Sequence, residues 1–309
     1  MPGDLIVIGG ATGTGKTALS LDVAERLIAQ GRPAEIINGD AMQFYRGMDI
    51  GTAKLPVAER RGITHHLFDV LDVTEPSAVA WYQETARALI DELIGRGITP
   101  IVVGGSGLYI ASVVFNLEFP GRDPKVRAEL EHELEEWGVG MLYRRLQSFD
   151  PAAAANIDPR NARRVVRALE AIKVTGEKFS SQLPEQDAWW RPTTMVLVER
   201  DRAELVHDLD GRVVEMWRAG LVDETARLLD AGLTPASTAG KAIGYAQAAR
   251  QLAGECTEAE AIAEAQALTR KYARRQVSWF RRYDSAIRVQ AGDPWAAERV
   301  VDEHLGVES

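Results

Sequence analysis

Eight residues near the N-terminus have the types and spacing needed to bind a chain of phosphates. They follow the apolar run Leu5–Ile8 and precede a helical pattern that extends to Ile28. The segment consists of Gly10, Ala11, Thr12, Gly13, Thr14, Gly15, Lys16 and Thr17. Glycines let the backbone curl so that N–H groups face a phosphate, and the following helix N-terminus adds positive potential. In this P-loop, Lys16 supplies charge for the terminal phosphates and the Thr17 hydroxyl can hold Mg²⁺. The motif predicts phosphate binding without identifying the ligand.

Two other strand ends carry residues that could act on a bound phosphate compound. The apolar segment Ala34–Ile37 leads to Asp40, and Pro100–Val103 leads to a turn that contains Ser106. Ligands of open parallel sheets bind beyond the C-terminal ends of the strands, so we expect both residues to lie near the P-loop. Asp40 could ligate Mg²⁺, accept a proton from a nucleophile, or only cap a helix. The Ser106 hydroxyl could face the phosphates or cap a helix.

The segment Pro100–Val103 lacks a residue that motor and switch NTPases have. It does not end in the aspartate that holds Mg²⁺ in those proteins. This absence favours small-molecule kinases and other transferases.

The order of strand and helix patterns predicts the fold. Strands and helices alternate around the P-loop, and a β-rich run returns at Thr193–Glu199. Between these regions strand signals almost disappear. We predict an α/β fold with a P-loop NTPase-like parallel sheet core flanked by helices, in residues 1–117 and 192–309. Residues 118–191 are predicted to form an all-helical insertion domain, with helices at 123–137, 140–148 and 159–175.

Composition restricts the setting in which the chain works. Cys256 is the single cysteine of 309 residues, which excludes an intrachain disulfide and fits a reducing compartment. No apolar run approaches the roughly 20 residues of a membrane span, and the N-terminus has no basic region typical of a signal peptide. We therefore expect a cytoplasmic protein.

Two basic faces contrast with the net charge of −9. The first, in the predicted helix 159–175, consists of Arg160, Arg163, Arg164 and Arg167. The second, in a long helix predicted over 257–283, consists of Arg270, Lys271, Arg274, Arg275, Arg281 and Arg282. Faces of one charge sign favour contact with a nucleic-acid backbone. Solvation, or pairing with the acidic segment Glu129–Glu136, is the alternative.

The motifs, taken together, resemble those of the tRNA dimethylallyltransferases, also called tRNA isopentenyltransferases. They occur in family order across nearly the whole chain, at residues 10–17, 38–54, 65–69, 104–109, 163–170, 242–245 and 269–281. The most specific segment is 40–54, Asp-x-x-Gln-x-Tyr-x-Gly-Met-Asp-Ile-Gly-Thr-Ala-Lys. No Cys/His tail follows Trp295, and in this respect the chain resembles the bacterial members of the family.

The resemblance implies transfer of a dimethylallyl group from dimethylallyl diphosphate to N6 of the adenosine 3′ to the tRNA anticodon, with release of diphosphate. It implies that the P-loop and Lys16 bind the diphosphate, with Mg²⁺ as cofactor at Thr17. Asp40 would take the proton of the acceptor amine, Ser106 would contact the reacting groups, and Gln43 would contact a neighbouring anticodon-loop base. The catalytic residues implied are therefore Asp40, Ser106 and Lys16.

The resemblance also implies a set of tRNA-binding residues for the anticodon stem-loop. They are Asp40, Ala41, Met42, Gln43, Ser106, Arg127, Arg163, Arg164, Arg167, Lys241, Gly244, Tyr245, Arg274 and Arg275. Three positions depart from the commonest family pattern, since Ala11 replaces a proline, Ala41 a serine and Ser106 a threonine.

We expect a monomer with no membrane partner. A P-loop small-molecule kinase is the alternative function. A non-catalytic nucleic-acid-binding protein is a third class, which leaves the P-loop unexplained.

Overall fold

The computed structural model describes residues 4–117, 119, 121, 123–179 and 189–307. Its centre is a six-stranded sheet in the order β3-β2-β4-β1-β5-β6. The strands are β1 (Leu5–Gly10), β2 (Ala34–Asn38), β3 (His65–His66), β4 (Thr99–Gly104), β5 (Thr193–Glu199) and β6 (Ile287–Gln290). Every neighbouring pair is parallel, which confirms the predicted parallel α/β core.

Two compact units are present, and each is described separately. The first contains residues up to Val114 and from Trp189 onwards, and the second extends from Phe115 to Ala188. The insertion predicted at 118–191 differs from these bounds by three residues at each end. Helices of the first unit are α1 (Lys16–Ala29), α2 (Val79–Gly95), α3 (Gly107–Val114), α7 (Arg202–Arg218), α8 (Leu221–Asp230), α9 (Tyr245–Leu252), α10 (Glu258–Phe280) and α11 (Ala296–Leu305). Helices of the second unit are α4 (Pro124–Phe149), α5 (Pro151–Ala155) and α6 (Ala162–Thr175).

The central strand β1 explains why the first unit folds around the sheet. All six of its residues are buried, as expected for a parallel strand covered by helices on both faces. Its side chains join a hydrophobic core with those of α1, β4, β5 and α11. The C-terminal ends of β1, β2 and β4 therefore lie side by side, and their loops emerge at one edge of the sheet.

The second unit is a small helical core. Helix α4 bends at Gly138, whose φ of 75° and ψ of 163° are not helical, so its two halves correspond to the separate helices predicted at 123–137 and 140–148. Leu130 and Leu146, one from each half, pack with Val165 and Leu169 of α6. None of the helices in the described ranges is both long and apolar enough to cross a membrane.

Candidate active site

The P-loop connects β1 to α1 in a conformation that glycine permits. Gly13 and Gly15 have φ values of 79° and 89°, in the left-handed region that other residues rarely adopt. The Lys16 Nζ donates to the Ala11 carbonyl at 2.6 Å, and the Thr14 hydroxyl donates to the same carbonyl at 2.9 Å. These bonds fold the loop back on itself and hold the Lys16 ammonium beside it.

Asp40 is held firmly at the end of β2. The Asn38 amide brackets it, because Nδ2 donates to the Asp40 carbonyl at 3.1 Å and Oδ1 accepts from the Asp40 N–H at 2.9 Å. The Asp40 carboxylate accepts from the Met42 N–H at 3.0 Å and caps the short 3₁₀ helix Ala41–Phe44. Asp40 thus has the capping role weighed from the sequence, and its second carboxylate oxygen makes no protein hydrogen bond found in the described ranges.

Burial and nearby cations set the ionisation of this carboxylate. Desolvation raises the pKa of Asp40, while the Met42 N–H and the charges of Lys16 and Arg212 act in the opposite direction. The pKa of Lys16 is lowered to about 8, chiefly by burial; the Asp40 charge acts against this lowering and the Arg212 charge adds to it. A carboxylate with a raised pKa is a better proton acceptor than an exposed aspartate.

A cavity of about 320 Å³ lies over these strand ends. Eight residues predicted from the sequence line it: Thr12, Asp40, Ala41, Met42, Ser106, Lys241, Gly244 and Arg275. The opposite wall is formed by α7, through Leu209, Arg212, Val213, Met216 and Trp217. The cavity therefore combines Thr12 of the P-loop, a partly buried carboxylate and a largely apolar wall.

Arg212 is a site residue that the sequence did not reveal. Arg212 is partly buried at the cavity wall, and desolvation lowers its pKa while the Asp40 charge raises it. A partly buried cation next to a P-loop is suited to an anionic ligand. Arg212 belongs to no motif of the sequence. Only the packing of α7 against the cavity shows that this arginine faces the site.

Gln43 and Tyr245, both predicted to contact tRNA, form hydrogen bonds to backbone groups of residues that line the cavity. Gln43 donates through Nε2 to the carbonyl of Thr52, a residue that lines the cavity, at 3.1 Å. Tyr245 is completely buried, so a direct contact between its side chain and tRNA is not supported. Its hydroxyl donates to Glu224 at 2.5 Å and accepts from the Gly51 N–H at 3.1 Å, which fixes the backbone of the cavity wall.

The arginines of the second unit divide into two groups. Arg163 and Arg164 are exposed at the start of α6. Arg127 and Arg167 approach the carboxylate of Glu170 at 3.5 and 3.0 Å, and Glu170 is only 2% exposed. Pairing with Glu170 gives these two arginines a structural role, and their contact with tRNA stays a prediction.

The basic face of α10 also divides. Arg274 is exposed, and Arg275 reaches the cavity with its guanidinium 5.8 Å from the centre of the Tyr272 ring. Arg270 forms an ion pair with Asp210 of α7, which holds two helices together. The Tyr272 hydroxyl lies 3.5 Å from the Ser106 hydroxyl, so Ser106 faces α10 as well as the cavity.

The residues at the P-loop fit a Mg²⁺ ion that arrives with a phosphate ligand. The Thr17 side chain is exposed at the start of α1. Over the ranges that the structure covers, no group of three acidic, histidine or cysteine side chains is placed to hold a metal alone. Mg²⁺ in phosphate sites takes one or two protein ligands and completes its shell with phosphate oxygens and water, which matches this arrangement.

The sheet and the loop after β1 place the chain in the P-loop class of α/β proteins, with a partly buried carboxylate near that loop. Residues 43–283 match the model of a family described as IPP transferase. The chain belongs to this IPP transferase family, whose members are prenyl transferases, as the resemblance of its motifs predicted.

Individual relatives agree with the family assignment. The chain is 57% identical to the tRNA dimethylallyltransferase of Clavibacter sepedonicus over 298 residues, which cover 96% of this chain and 97% of that protein. It is 52% identical to the tRNA dimethylallyltransferase of Thermobifida fusca over 278 residues, covering 90% and 87%. These relatives do not favour the kinase alternative.

Solved structures are similar as well. The full-length tRNA isopentenylpyrophosphate transferase from Bacillus halodurans is 38% identical with a TM-score of 0.68, over 97% of this chain and 94% of that one. A eukaryotic dimethylallyltransferase acting on tRNA is 29% identical with a TM-score of 0.80, over 96% of this chain and 77% of that one.

Proposed function

We propose that this enzyme transfers a dimethylallyl group from dimethylallyl diphosphate to N6 of the adenosine 3′ to the anticodon of tRNA. The observation that carries the proposal is the cavity lined by Asp40, Arg212 and the apolar side chains of α7, with the charge of Lys16 acting on Asp40. The cations suit a diphosphate, the wall suits a hydrocarbon chain, and Asp40 suits an acceptor that must lose a proton.

The donor end of the reaction falls to the P-loop. Its amides and Lys16 bind the diphosphate, and Arg212 adds a second partly buried charge. As the bond between the prenyl C1 and oxygen breaks, both electrons leave with the diphosphate, and preorganised cations stabilise the charge that builds there. Mg²⁺, held by Thr17 and the diphosphate, would neutralise part of the same charge when bound.

The acceptor end falls to Asp40. The adenine amine is a weak nucleophile, so it must be positioned at C1 and relieved of a proton as the N6–C1 bond forms. Asp40 accepts that proton, and its anchored backbone keeps the carboxylate in place. An adenine inside a stacked anticodon loop has to leave the stack to enter the cavity.

Contacts with the remainder of the tRNA follow from exposed cations. Arg163, Arg164 and Arg274 are exposed, and we assign them to the RNA backbone. Lys241 and Gly244 line the cavity and are assigned to nucleotides next to the target adenosine. Since tRNA is the proposed acceptor, we expect a cytoplasmic enzyme, and we keep the monomer as a prediction of its own.

A transfer assay tests the proposal. The chain is incubated with labelled dimethylallyl diphosphate, Mg²⁺ and tRNA from cells that lack the modification, and the labelled nucleoside is identified after digestion. We expect label on one adenosine in the anticodon loop. Absence of transfer across a range of salt concentrations, or ATP-dependent phosphorylation of a small molecule, would contradict the proposal.

A further inference from the structure

One buried glutamine of α10 joins two loops of the active site. The Gln276 side chain is 5% exposed. Its Oε1 accepts from the Thr12 N–H of the P-loop at 2.9 Å, and its Nε2 donates to the Gly105 carbonyl of the Ser106 turn at 2.7 Å. A single planar amide therefore connects residues that are far apart in sequence and that lie on the loops after β1 and β4.

The turn after β4 is shaped to receive this amide. A Cβ atom on Gly105 would lie 2.3 Å from Gln276 Nε2, and a Cβ atom on Gly107 would lie 2.1 Å from Trp279 Cδ1. Both glycines are required because side chains of α10 occupy the space beside them. The helix thus seats directly on the turn that carries Ser106, and a shift of either would be transmitted to the other.

The Thr12 bond has a consequence for the P-loop. An N–H that donates to Gln276 is already used and is not offered to a phosphate, so Thr12 acts as the fixed end of the loop. The remaining amides, from Gly13 to Thr17, are then free to turn toward a diphosphate. Loops that must bind an anion in one geometry gain affinity when part of their backbone is fixed beforehand.

We propose that Gln276 is a positioning residue that sets the P-loop relative to the Ser106 turn, so that the diphosphate and the reacting groups meet in register. The inference rests on the proposed function. Gln276 does not line the cavity, and it acts through Thr12 and Gly105. Its amide suits the task because one end must accept and the other must donate.

Two substitutions separate positioning from simple packing. Gln276→Met keeps the length of the side chain and removes both hydrogen bonds. Gln276→Glu keeps the acceptor for Thr12 but at neutral pH places a carboxylate oxygen against the Gly105 carbonyl. On protonation, the introduced carboxyl group can again donate to Gly105, and burial raises its pKa towards neutrality.

The expected results are specific. Gln276→Met lowers kcat by about 10- to 100-fold, since small misplacements of reacting groups have effects of that size, while the KM for tRNA changes by less than about threefold. The ratio of Gln276→Glu activity to wild-type activity rises as the pH falls, because protonation of the introduced carboxyl group restores the donor to Gly105 and removes a negative charge that the wild type lacks. Tyr272, whose hydroxyl also faces Gln276, has a pKa raised to about 12 by burial and stays protonated over this range. Gln266→Met is the matched control, since Gln266 lies on the same helix and its amide donates to the Asp210 carbonyl at 3.0 Å.

Binding of inorganic diphosphate, measured by calorimetry without tRNA, separates this proposal from the proposed function. We expect Gln276→Met to weaken diphosphate binding by about tenfold and Gln266→Met to leave it unchanged. Wild-type kcat together with wild-type diphosphate affinity in Gln276→Met would overturn the proposal. A Gln276→Glu to wild-type ratio that does not vary with pH would also overturn it. If the wild-type enzyme bound diphosphate but transferred no prenyl group, the proposed function would fail and the binding comparison would still test Gln276.

Discussion

Replacing Arg212 with methionine tests the electrostatics of the cavity. Arg212 is partly buried at the cavity wall and acts on two titrating groups. Its charge lowers the pKa of Lys16 and also lowers the pKa of Asp40. Removing the charge while keeping an apolar side chain of similar length should therefore raise both pKa values and weaken the stabilisation of the leaving diphosphate.

The size of each effect follows from the causes of the pKa shifts. Loss of one preorganised charged hydrogen-bonding group lowers kcat/KM for dimethylallyl diphosphate by about 10²- to 10³-fold. Lys16 has a pKa of about 8 in place of the ordinary 10.5, and burial is the largest cause of the lowering. Since burial remains in Arg212→Met, the pKa of Lys16 rises by only part of the difference between 8 and 10.5. The basic limb of the pH profile of kcat/KM moves upward by the same amount. The acidic limb also moves upward, because Asp40 loses a cation that favours its charged form.

The assay is the pH dependence of kcat/KM for dimethylallyl diphosphate from about pH 5.5 to 10, which reports the free enzyme. Activity requires Asp40 deprotonated and Lys16 protonated, so it falls below the pKa of Asp40 and above that of Lys16. Arg218→Met is the control, because Arg218 lies on the same helix, is exposed and pairs with Glu215. Limbs that stay fixed or move downward in Arg212→Met would refute the electrostatic reasoning.

Two further predictions concern packing and stability. Gly107→Ala would place Cβ 2.1 Å from the Trp279 ring and should lower the free energy of unfolding by about 1–3 kcal/mol, whereas Gly140→Ala, with no atom within 4 Å, should be neutral or stabilising in urea titrations. Equal effects of the two substitutions would contradict the fit of α10 on the turn. Glu170→Gln removes the buried charge between two arginines and should destabilise the second unit by about 1–3 kcal/mol, measured by hydrogen exchange in residues 123–179. Glu131→Gln, at an exposed partner of Arg127, should change exchange by less than about 0.5 kcal/mol, and a comparable loss there would argue against a special role for Glu170.

Much of the site could be predicted because local sequence determines it. The P-loop and the loops that carry Asp40 and Ser106 all follow strands, and parallel topology brings strand ends to one edge. The strand Thr193–Glu199 was predicted with the bounds that the structure shows, because a continuous β-rich run has few alternatives. Predictions from the sequence were most accurate where the spacing of residues alone determines the local geometry.

Residues positioned by distant packing could not be predicted in the same way. Arg212 and Gln276 lie on amphipathic helices among other polar residues, and only the folded chain shows which of them face inward. Tyr245 illustrates the opposite case. A motif marked it as a contact, but the structure assigns its hydroxyl to Glu224 and Gly51 in the core. The short helix α5 and the terminal α11 were not predicted, since few residues contribute to the pattern of either.

The central claim is that Asp40 takes the acceptor proton while the P-loop holds the diphosphate. The most direct measurement is single-turnover prenyl transfer by Asp40→Asn, with donor affinity measured separately. Asparagine keeps an oxygen that can accept from the Met42 N–H, so the loop should retain its shape. We predict transfer slower by about 10²- to 10⁴-fold, with donor affinity within about threefold of wild type. Transfer within tenfold of wild type, or a parallel loss of donor binding, would contradict this assignment of roles.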